Sequence, residues 1–450
     1  MRSAAGAAPD GLHQRVLRGL ALVVWAVELL AIVLPGLPLA NGAAAALVLL
    51  LIAGARALEP LTVAYCALLG SLCAGSLVFG GAFADVAEGL RQASLIAAFL
   101  LTLQFMRATV EAHPGLPEMR RRFTALPRRE RGGGVLMTTH LLGTVLTIGS
   151  LAVIAPLVRE AAPDDRKRIA ELGMRGLSMV VVWSPFTVAT AIVSAYAPDM
   201  PFWRVAAGGL TVVVIAFAAS VVLGEARLSP ATIRQVLAIV GPVFWPLMTG
   251  AGLVMLGTTV LGLSALQATV TIMLLFCLSW CLVMGRGTLR RVSIATSRSM
   301  TRILDDLTLF TFALVLASVL THSPSFRASV EGLIGTGTPS YASFVGGTLL
   351  TAFVPMLGIH MIVPGALVFA LLLPGLDHDV FSQWLLIVMV LVGWTFGSML
   401  SMASLALMTA STLFQLPRVG LMFGRNFGFL SGLLGGTCLL GWALHALFAN

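Results

Sequence analysis

Apolar runs of roughly twenty residues, separated by short loops, recur along the whole chain. That spacing constrains the fold more than any other feature. A helix of about twenty apolar residues spans the hydrocarbon core of a bilayer. In lipid every backbone N–H and C=O must be satisfied internally, so runs of this length can only become helices. Just 10% of the 450 residues are charged, against roughly 25% in a soluble domain, and the mean hydropathy is +0.97. The chain reads as an all-α polytopic membrane protein, a single membrane domain over residues 1–450, with the lipid bilayer as its first partner.

The net charge of +9 is carried mainly by arginines in a few short loops. That is the pattern of membrane orientation, so no nucleic-acid partner is expected. Cys66, Cys73, Cys277, Cys281 and Cys438 all lie in apolar stretches. They read as inert buried thiols, with no disulfide, metal site or cofactor. The first run, Val16 to Leu34, follows Arg2, Arg15 and Arg18 and is too long for the apolar part of a cleavable signal, which makes it an uncleaved first span.

Charge bookkeeping gives the topology. Spans at 16–34, 42–58, 61–80 and 93–108 put the N-terminus on the same side as the stretch Arg107–Arg131, whose seven arginines mark the cytoplasm. Val135–Val158 carries no charge yet leads into Arg159, Arg166, Lys167 and Arg168. A re-entrant hairpin keeps both basic loops inside, whereas a crossing would expose one of them. Gly173–Ala197 then crosses outward, interrupted at Trp183-Ser184-Pro185, and 202–223 returns. Pro185 removes a backbone donor and breaks the helix. In the second half, spans at 238–262 and 267–285 lead to a loop with Arg286, Arg290, Arg291, Arg298 and Arg302 and no acid. After 307–320 and a loop at 321–340, a second hairpin at 341–373 is followed by Asp377 and Asp379, which suits the outer face. Spans 384–414 and 427–448 leave the C-terminus outside. The expectation is eleven spans and two hairpins. Residues 1–40 hold the first span, 41–235 a repeat with a cytoplasmic-side hairpin at 135–158, and 236–450 an inverted repeat with a periplasmic-side hairpin at 341–373.

Two pentapeptides mark the hairpins, Gly143-Thr-Val-Leu-Thr147 and Gly347-Thr-Leu-Leu-Thr351, with Pro156 and Pro364 beyond them. After each hairpin comes a stripe of hydroxyls at helical spacing: Ser184, Thr187 and Thr190, then Ser398, Ser401 and Ser404. Duplicated, interrupted hydrophobic segments point to the binding site of a secondary transporter. The candidate substrate- and ion-binding residues are Thr147, Gly149 and Ser150 at the first tip and Gly358 and His360 at the second. Ser184, Pro185, Thr187, Ser398, Ser401 and Ser404 complete the set. Half-helix N-termini favour anions, and His360 can donate to one or carry a proton. Small and hydroxyl residues also let membrane helices pack closely, which is the competing explanation of the stripes. His140 is expected to hydrogen-bond within the first hairpin. Glu28 is expected to pair with a neighbouring helix or face a cavity, and Asp305-Asp306 to be solvated at the cytoplasmic mouth. Within their apolar stretches the hairpins and broken helices are read as uncharged, which argues against carboxylate-based cation exchange.

An inside N-terminus, an outside C-terminus, eleven spans and a hairpin before the fifth and tenth spans together resemble the ion transporter superfamily. That group includes the divalent-anion/sodium symporters, the arsenite and citrate permeases and the large membrane subunit of tripartite ATP-independent periplasmic (TRAP) transporters. The likeness covers nearly the whole chain as architecture. The divalent-anion branch carries Ser-Asn-Thr at each tip; here the tips read Gly149-Ser150-Leu151 and Gly358-Ile359-His360, so Ser150 alone keeps a matching residue type. The resemblance implies elevator-type alternating access and a homodimer.

The leading expectation is a secondary active transporter of a small anion in the bacterial inner membrane, coupled to Na+ or H+, and not an enzyme. The alternatives are the membrane subunit of a TRAP-like importer served by a periplasmic binding protein, and a membrane-embedded enzyme acting on a lipid-linked substrate.

Overall fold

Because lipid leaves backbone groups no other partner, the apolar runs fold as helices, some of them interrupted. The computed structural model describes residues 11–448 apart from 79, 125, 159–161, 335–338, 377 and 403. Among these residues there are helices and no strands. Arg159 and Asp377, two of the charges that flank the expected hairpins, lie outside the described residues.

In chain order the first four helices are α1 (Gly11–Val33), α2 (Leu39–Gly54), α3 (Pro60–Val78) and α4 (Phe83–Glu111). The arginine-rich stretch folds partly as α5 (Leu116–Thr124). Then come α6 (Arg131–Leu146), α7 (Gly149–Ile154), α8 (Pro163–Ser178), α9 (Val188–Tyr196) and α10 (Phe202–Val222). The middle of the chain forms α11 (Pro230–Val260), α12 (Ala265–Ala268), a π-helical turn (Thr269–Met273) and α13 (Leu274–Val283). Next are α14 (Arg286–Ser299), α15 (Leu304–His322) and α16 (Pro324–Ile334). The chain closes with α17 (Tyr341–Phe353), α18 (Ile362–Leu372), α19 (Val380–Leu400), α20 (Leu405–Phe414), α21 (Arg418–Met422) and α22 (Arg425–Phe448).

Among the described residues ten helical stretches are long and apolar enough to cross a membrane, so the protein is a polytopic membrane protein. Their bounds follow the apolar runs, with three that begin well before the expected start: Phe83 for 93, Pro230 for 238 and Arg418 for 427. The fourth stretch covers Phe83–Glu111 rather than 93–108, because the polar turns holding Asp85, Glu88 and Arg91 remain helical. The loops expected at 286–302 and 321–340 also contain helices, α14 and α16.

The chain divides into two compact units, Met1–Thr109 with Leu274–Ser329, and Val110–Met273 with Val330–Asn450. In the first unit α1 packs along α2, and α15 along α3. The backbone N–H of Glu59 donates to Asp305 Oδ1 at 2.9 Å, which sets the start of α3 beside the start of α15. At the opposite end His322 Nδ1 stands 3.5 Å from the Asp85 carboxylate, joining the end of α15 to the start of α4. The helices α3 and α15 therefore run parallel, with α4 opposed to both. Asp305, expected to be solvated, is partly buried and bonds the start of α3.

The second unit centres on α19, whose residues from Leu385 to Gly397 are all buried. In it α6 lies along α8, and α17 along α19. The same two glycine devices allow the close approach. A Cβ on Gly176 of α8 would stand 2.2 Å from the Leu136 carbonyl oxygen of α6, and one on Gly393 of α19 would stand 2.4 Å from the Thr348 carbonyl oxygen of α17.

Candidate functional site

All the candidate residues fall in the second unit, at four interruptions of its helices. The first separates α6 from α7. Thr147 takes φ 46 and ψ −123 there, a backbone region that a β-branched residue rarely enters. The Ser150 hydroxyl donates to the Thr147 carbonyl at 2.7 Å and tightens the turn. The second interruption follows α17. A 3₁₀ turn, Val354–Leu357, ends at Gly358 with φ 94, and His360 precedes α18. His360 Nδ1 accepts from the Ile362 N–H at 3.4 Å.

The repeated pentapeptides do not occupy equivalent places in these turns. Thr147 is itself the turn residue, whereas Thr351 is buried inside α17, seven residues before Gly358, and donates to the Gly347 carbonyl at 2.9 Å. Each pentapeptide lies on or ends the helix that precedes a turn, but the two are out of register by about two helical turns.

The third interruption lies between α8 and α9, and the fourth between α19 and α20. Neither hydroxyl stripe lies on a continuous helix. Ser184 and Pro185 sit in the unwound stretch, and Thr187 caps α9 by accepting from the Thr190 N–H. Ser404 caps α20, accepting from the N–H groups of Ala406 and Leu407. Ser398 is on the last turn of α19 and Ser401 terminates it. The expectation of a helical stripe is corrected here: the spacing of three serves capping. The two breaks share one further contact. The Thr190 hydroxyl donates to the Ser184 carbonyl at 2.8 Å, and the Ser404 hydroxyl donates to the Ser398 carbonyl, both spanning six residues back across the break.

The interruptions are brought together crosswise. The helix following the second turn, α18, packs on α9, which follows the first break. Reciprocally α7, following the first turn, packs on α20, which follows the second break. The broken helices meet where each is about to unwind: Thr395 of α19 donates to the carbonyl of Ser178, the last residue of α8, at 3.4 Å. Three helices of nine to eleven residues, α9, α18 and α20, thus begin at interruptions within one packed unit. Helix starts carry partial positive charge and favour anions. Of the expected half-helices, α7 is a stub of six residues.

Sequence reasoning misplaced one histidine bond and missed one charge. His140 does not bond within its own helix pair. Its Nδ1 lies 3.0 Å from the Gly176 carbonyl on α8, and its Nε2 accepts from the Trp183 indole at 3.2 Å. One nitrogen donates and the other accepts, so the ring is a neutral strut from α6 to the first break. Arg175 overturns the reading of the first broken helix as uncharged. It is 1% exposed on α8 and donates from Nη1 to Ser220 (2.9 Å) and Glu225 (2.5 Å). Its Nε and Nη2 both donate to Asn426 Oδ1, at 3.1 and 3.0 Å, and its guanidinium lies 3.7 Å over the Phe429 ring. Asn426 in turn donates to the Glu171 carbonyl at 2.8 Å, and the Arg425 N–H donates to the buried Glu171 carboxylate at 3.1 Å. A lone arginine in an apolar run is the signal that could have been followed.

A cavity of about 400 Å³ lies at the far ends of α9 and α18, lined by Tyr196, Asp199, Met200, Leu373 and Gln383 among others. The only titratable groups among its lining residues are Tyr196 and Asp199. No cluster of three or more His, Cys, Asp or Glu residues suited to a metal ion occurs among the described residues.

No protein-family model matches the chain, and no curated protein is similar to it.

Proposed function

We propose that this protein is a secondary active transporter that moves a small anion across the bacterial inner membrane, driven by a sodium or proton gradient. In this reading the pairs α6–α7 and α17–α18 are re-entrant hairpins, the first opening to the cytoplasm and the second to the periplasm. The broken pair α8–α9 is then an eleventh span beside the ten long apolar stretches. The N-terminus is cytoplasmic and the C-terminus periplasmic.

The observation that carries the reading is the sorting of the interruptions. Both turn-forming pairs and both broken helices belong to one compact unit although the other unit's helices separate them in the chain. Discontinuous helices converging in one body are how transporters place helix ends and unwound carbonyls around a solute. Irregular backbone at membrane depth is tolerated only where protein buries it or where it lines a cavity, and Ser150, Ser184, Ser401 and Ser404 are all buried. The elevator motion, with this unit carrying the solute and a homodimer supplying a fixed frame, extends the resemblance to the ion transporter superfamily.

The test is a thermal-shift screen of the purified protein against small anions, with and without sodium, followed by uptake into liposomes under an imposed gradient. A ligand that binds the folded state raises its melting temperature by mass action. Stabilisation by an anion, and gradient-driven uptake of that anion without an added binding protein, is the expected result. Stabilisation by neutral solutes alone would refute the anion assignment.

A further inference from the structure

In the first unit α14 carries four arginines and no acidic residue, and the transport reading does not use it. It begins at Arg286, shortly after α13 ends at Val283, and ends at Ser299, shortly before α15 begins at Leu304. Both neighbours belong to stretches long and apolar enough to cross a membrane, Ala265–Val283 and Leu304–His322. Gly285, with φ 108, turns the chain between α13 and α14. A helix of about 21 Å tethered to the bilayer by such short connectors at both ends lies along its surface, and α14 packs on α13.

The two faces of α14 are of opposite character. Thr288, Val292 and Thr296, every fourth residue, are buried. The threonine hydroxyls are spent on their own helix, Thr288 donating to the Met284 carbonyl at 3.3 Å and Thr296 to the Val292 carbonyl at 2.9 Å, which leaves methyl groups for packing. Arg286, Arg290, Ile294 and Arg298 repeat the same spacing, offset by two residues. At about 100° per residue that offset puts the two rows on opposite sides of the helix. The arginines of this row are exposed, as is Arg291 beside them, and Ile294 in their midst is 43% exposed.

The protein does not neutralise this face. Among the described residues none of Arg286, Arg290, Arg291 and Arg298 forms an ion pair. Arg291 donates only to the Thr288 hydroxyl, at 3.1 Å. On α5, by contrast, Arg121 and Arg122 are both paired with Glu118. The next acids along the chain, Asp305 and Asp306, open α15, where Asp305 accepts from the Glu59 N–H. Membrane orientation asks only for positive charge in a loop; it asks neither for a single face nor for an exposed isoleucine within it. Guanidinium groups bind phosphate through forked hydrogen bonds, and a basic amphipathic helix seats at the boundary of headgroups and acyl chains. Leu282 and Val283 at the end of α13 are 56% and 86% exposed, so lipid reaches to within one helical turn of Arg286.

We infer that the arginine face of α14 is a binding surface for anionic phospholipid headgroups, with Arg286, Arg290 and Arg298 on lipid phosphates and Ile294 among the first acyl carbons between them. The lipid is one of net negative charge, because a zwitterionic headgroup already pairs its phosphate with its own cation. Bound there, it fastens the first unit to an anionic leaflet.

A titration of the full-length protein in detergent tests this. An environment-sensitive fluorophore is placed at Ser293→Cys, an exposed position beside the row, in a background lacking the native cysteines. Short-chain phosphatidylglycerol, short-chain phosphatidylcholine and inorganic phosphate are added separately. A saturable change with phosphatidylglycerol alone is expected. The double variant Arg290→Gln/Arg298→Gln should bind it about 25-fold more weakly, at about five-fold per arginine, and Arg290→Lys/Arg298→Lys, which keeps the charge, should bind more tightly than the Gln pair. An equal response to inorganic phosphate would make the face a soluble-anion site, and an equal response to phosphatidylcholine an unselective apolar contact; either overturns the proposal, as does undiminished binding by the Gln pair. Should the Gln pair not fold, the parent protein decides: high salt must weaken its response to phosphatidylglycerol, and a salt-independent response refutes the arginine face.

Discussion

Arg175 and Glu225 form an ion pair at 2.5 Å in which the arginine is 1% exposed and the glutamate 14%. The pair joins α8 to the segment after α10, and Asn426 extends it to the start of α22. Removing one partner of a buried pair leaves the other uncompensated, which costs about 3–5 kcal/mol. Arg175→Ala is therefore expected to lower the melting temperature strongly. Arg175→Lys should fail to restore it, because an ammonium cannot reproduce the forked contacts with Asn426, Ser220 and Glu225. Melting of the purified variants in detergent measures both effects.

Helix contact at Gly176 and Gly393 makes a second prediction. An added Cβ would meet carbonyl oxygens at 2.2 and 2.4 Å, and overpacking of this kind typically costs about 1–3 kcal/mol. Gly176→Ala and Gly393→Ala should each destabilise the protein. Gly436→Ala on α22, where nothing lies within 4 Å, should be neutral or stabilising by up to about 1 kcal/mol. Equal melting temperatures for Gly176→Ala and Gly436→Ala would contradict the packing.

The matched hydroxyls at the two breaks predict matched losses. Thr190→Val and Ser404→Ala each remove a bond to the carbonyl six residues back, and Ser404→Ala also removes a helix cap. Each should cost about 1 kcal/mol. If the breaks shape a solute site, both variants should also weaken the ligand-induced melting shift by more than they weaken the unliganded protein.

Topology can be checked chemically. In a background lacking the native cysteines, a cysteine placed between Asp164 and Lys167 should react with membrane-impermeant reagent from the cytoplasmic side alone. Labelling from the outside would remove the first re-entrant hairpin and the inverted repeat with it.

A small pH effect is expected at α5. Hydrogen bonds from Arg121 and then Arg122 hold the half-exposed Glu118 carboxylate below its ordinary pKa. Its contribution is present at neutral pH and disappears as pH falls through that depressed value. Wild type should lose slightly more stability than Glu118→Gln on acidification, and high salt should shrink the difference.

Much of the architecture was legible from residue order. The apolar runs of α1, α3, α10 and α22 gave their helices within a few residues, since lipid permits no other backbone pairing. Pro185 announced the first break for the same local reason. The site was less legible. Spacing of three made Ser184, Thr187 and Thr190 look like one helical face, when it is the interval of a capping turn on a helix that has not yet begun. The pentapeptides ending at Thr147 and Thr351 promised equivalence and delivered different positions relative to their turns. His140 could not be paired from sequence because its partners, Gly176 and Trp183, lie 36 and 43 residues away.

By itself, then, the sequence determined that this chain is a helical membrane protein and where most of its helices run, because hydrophobic length and backbone pairing are properties of one segment at a time. Tertiary structure alone decided which segments share a unit, how α9 meets α18 and α7 meets α20, and that Arg175 is buried among partners from two distant parts of the chain. Those outcomes depend on contacts between residues far apart in sequence, where no local periodicity records the partner.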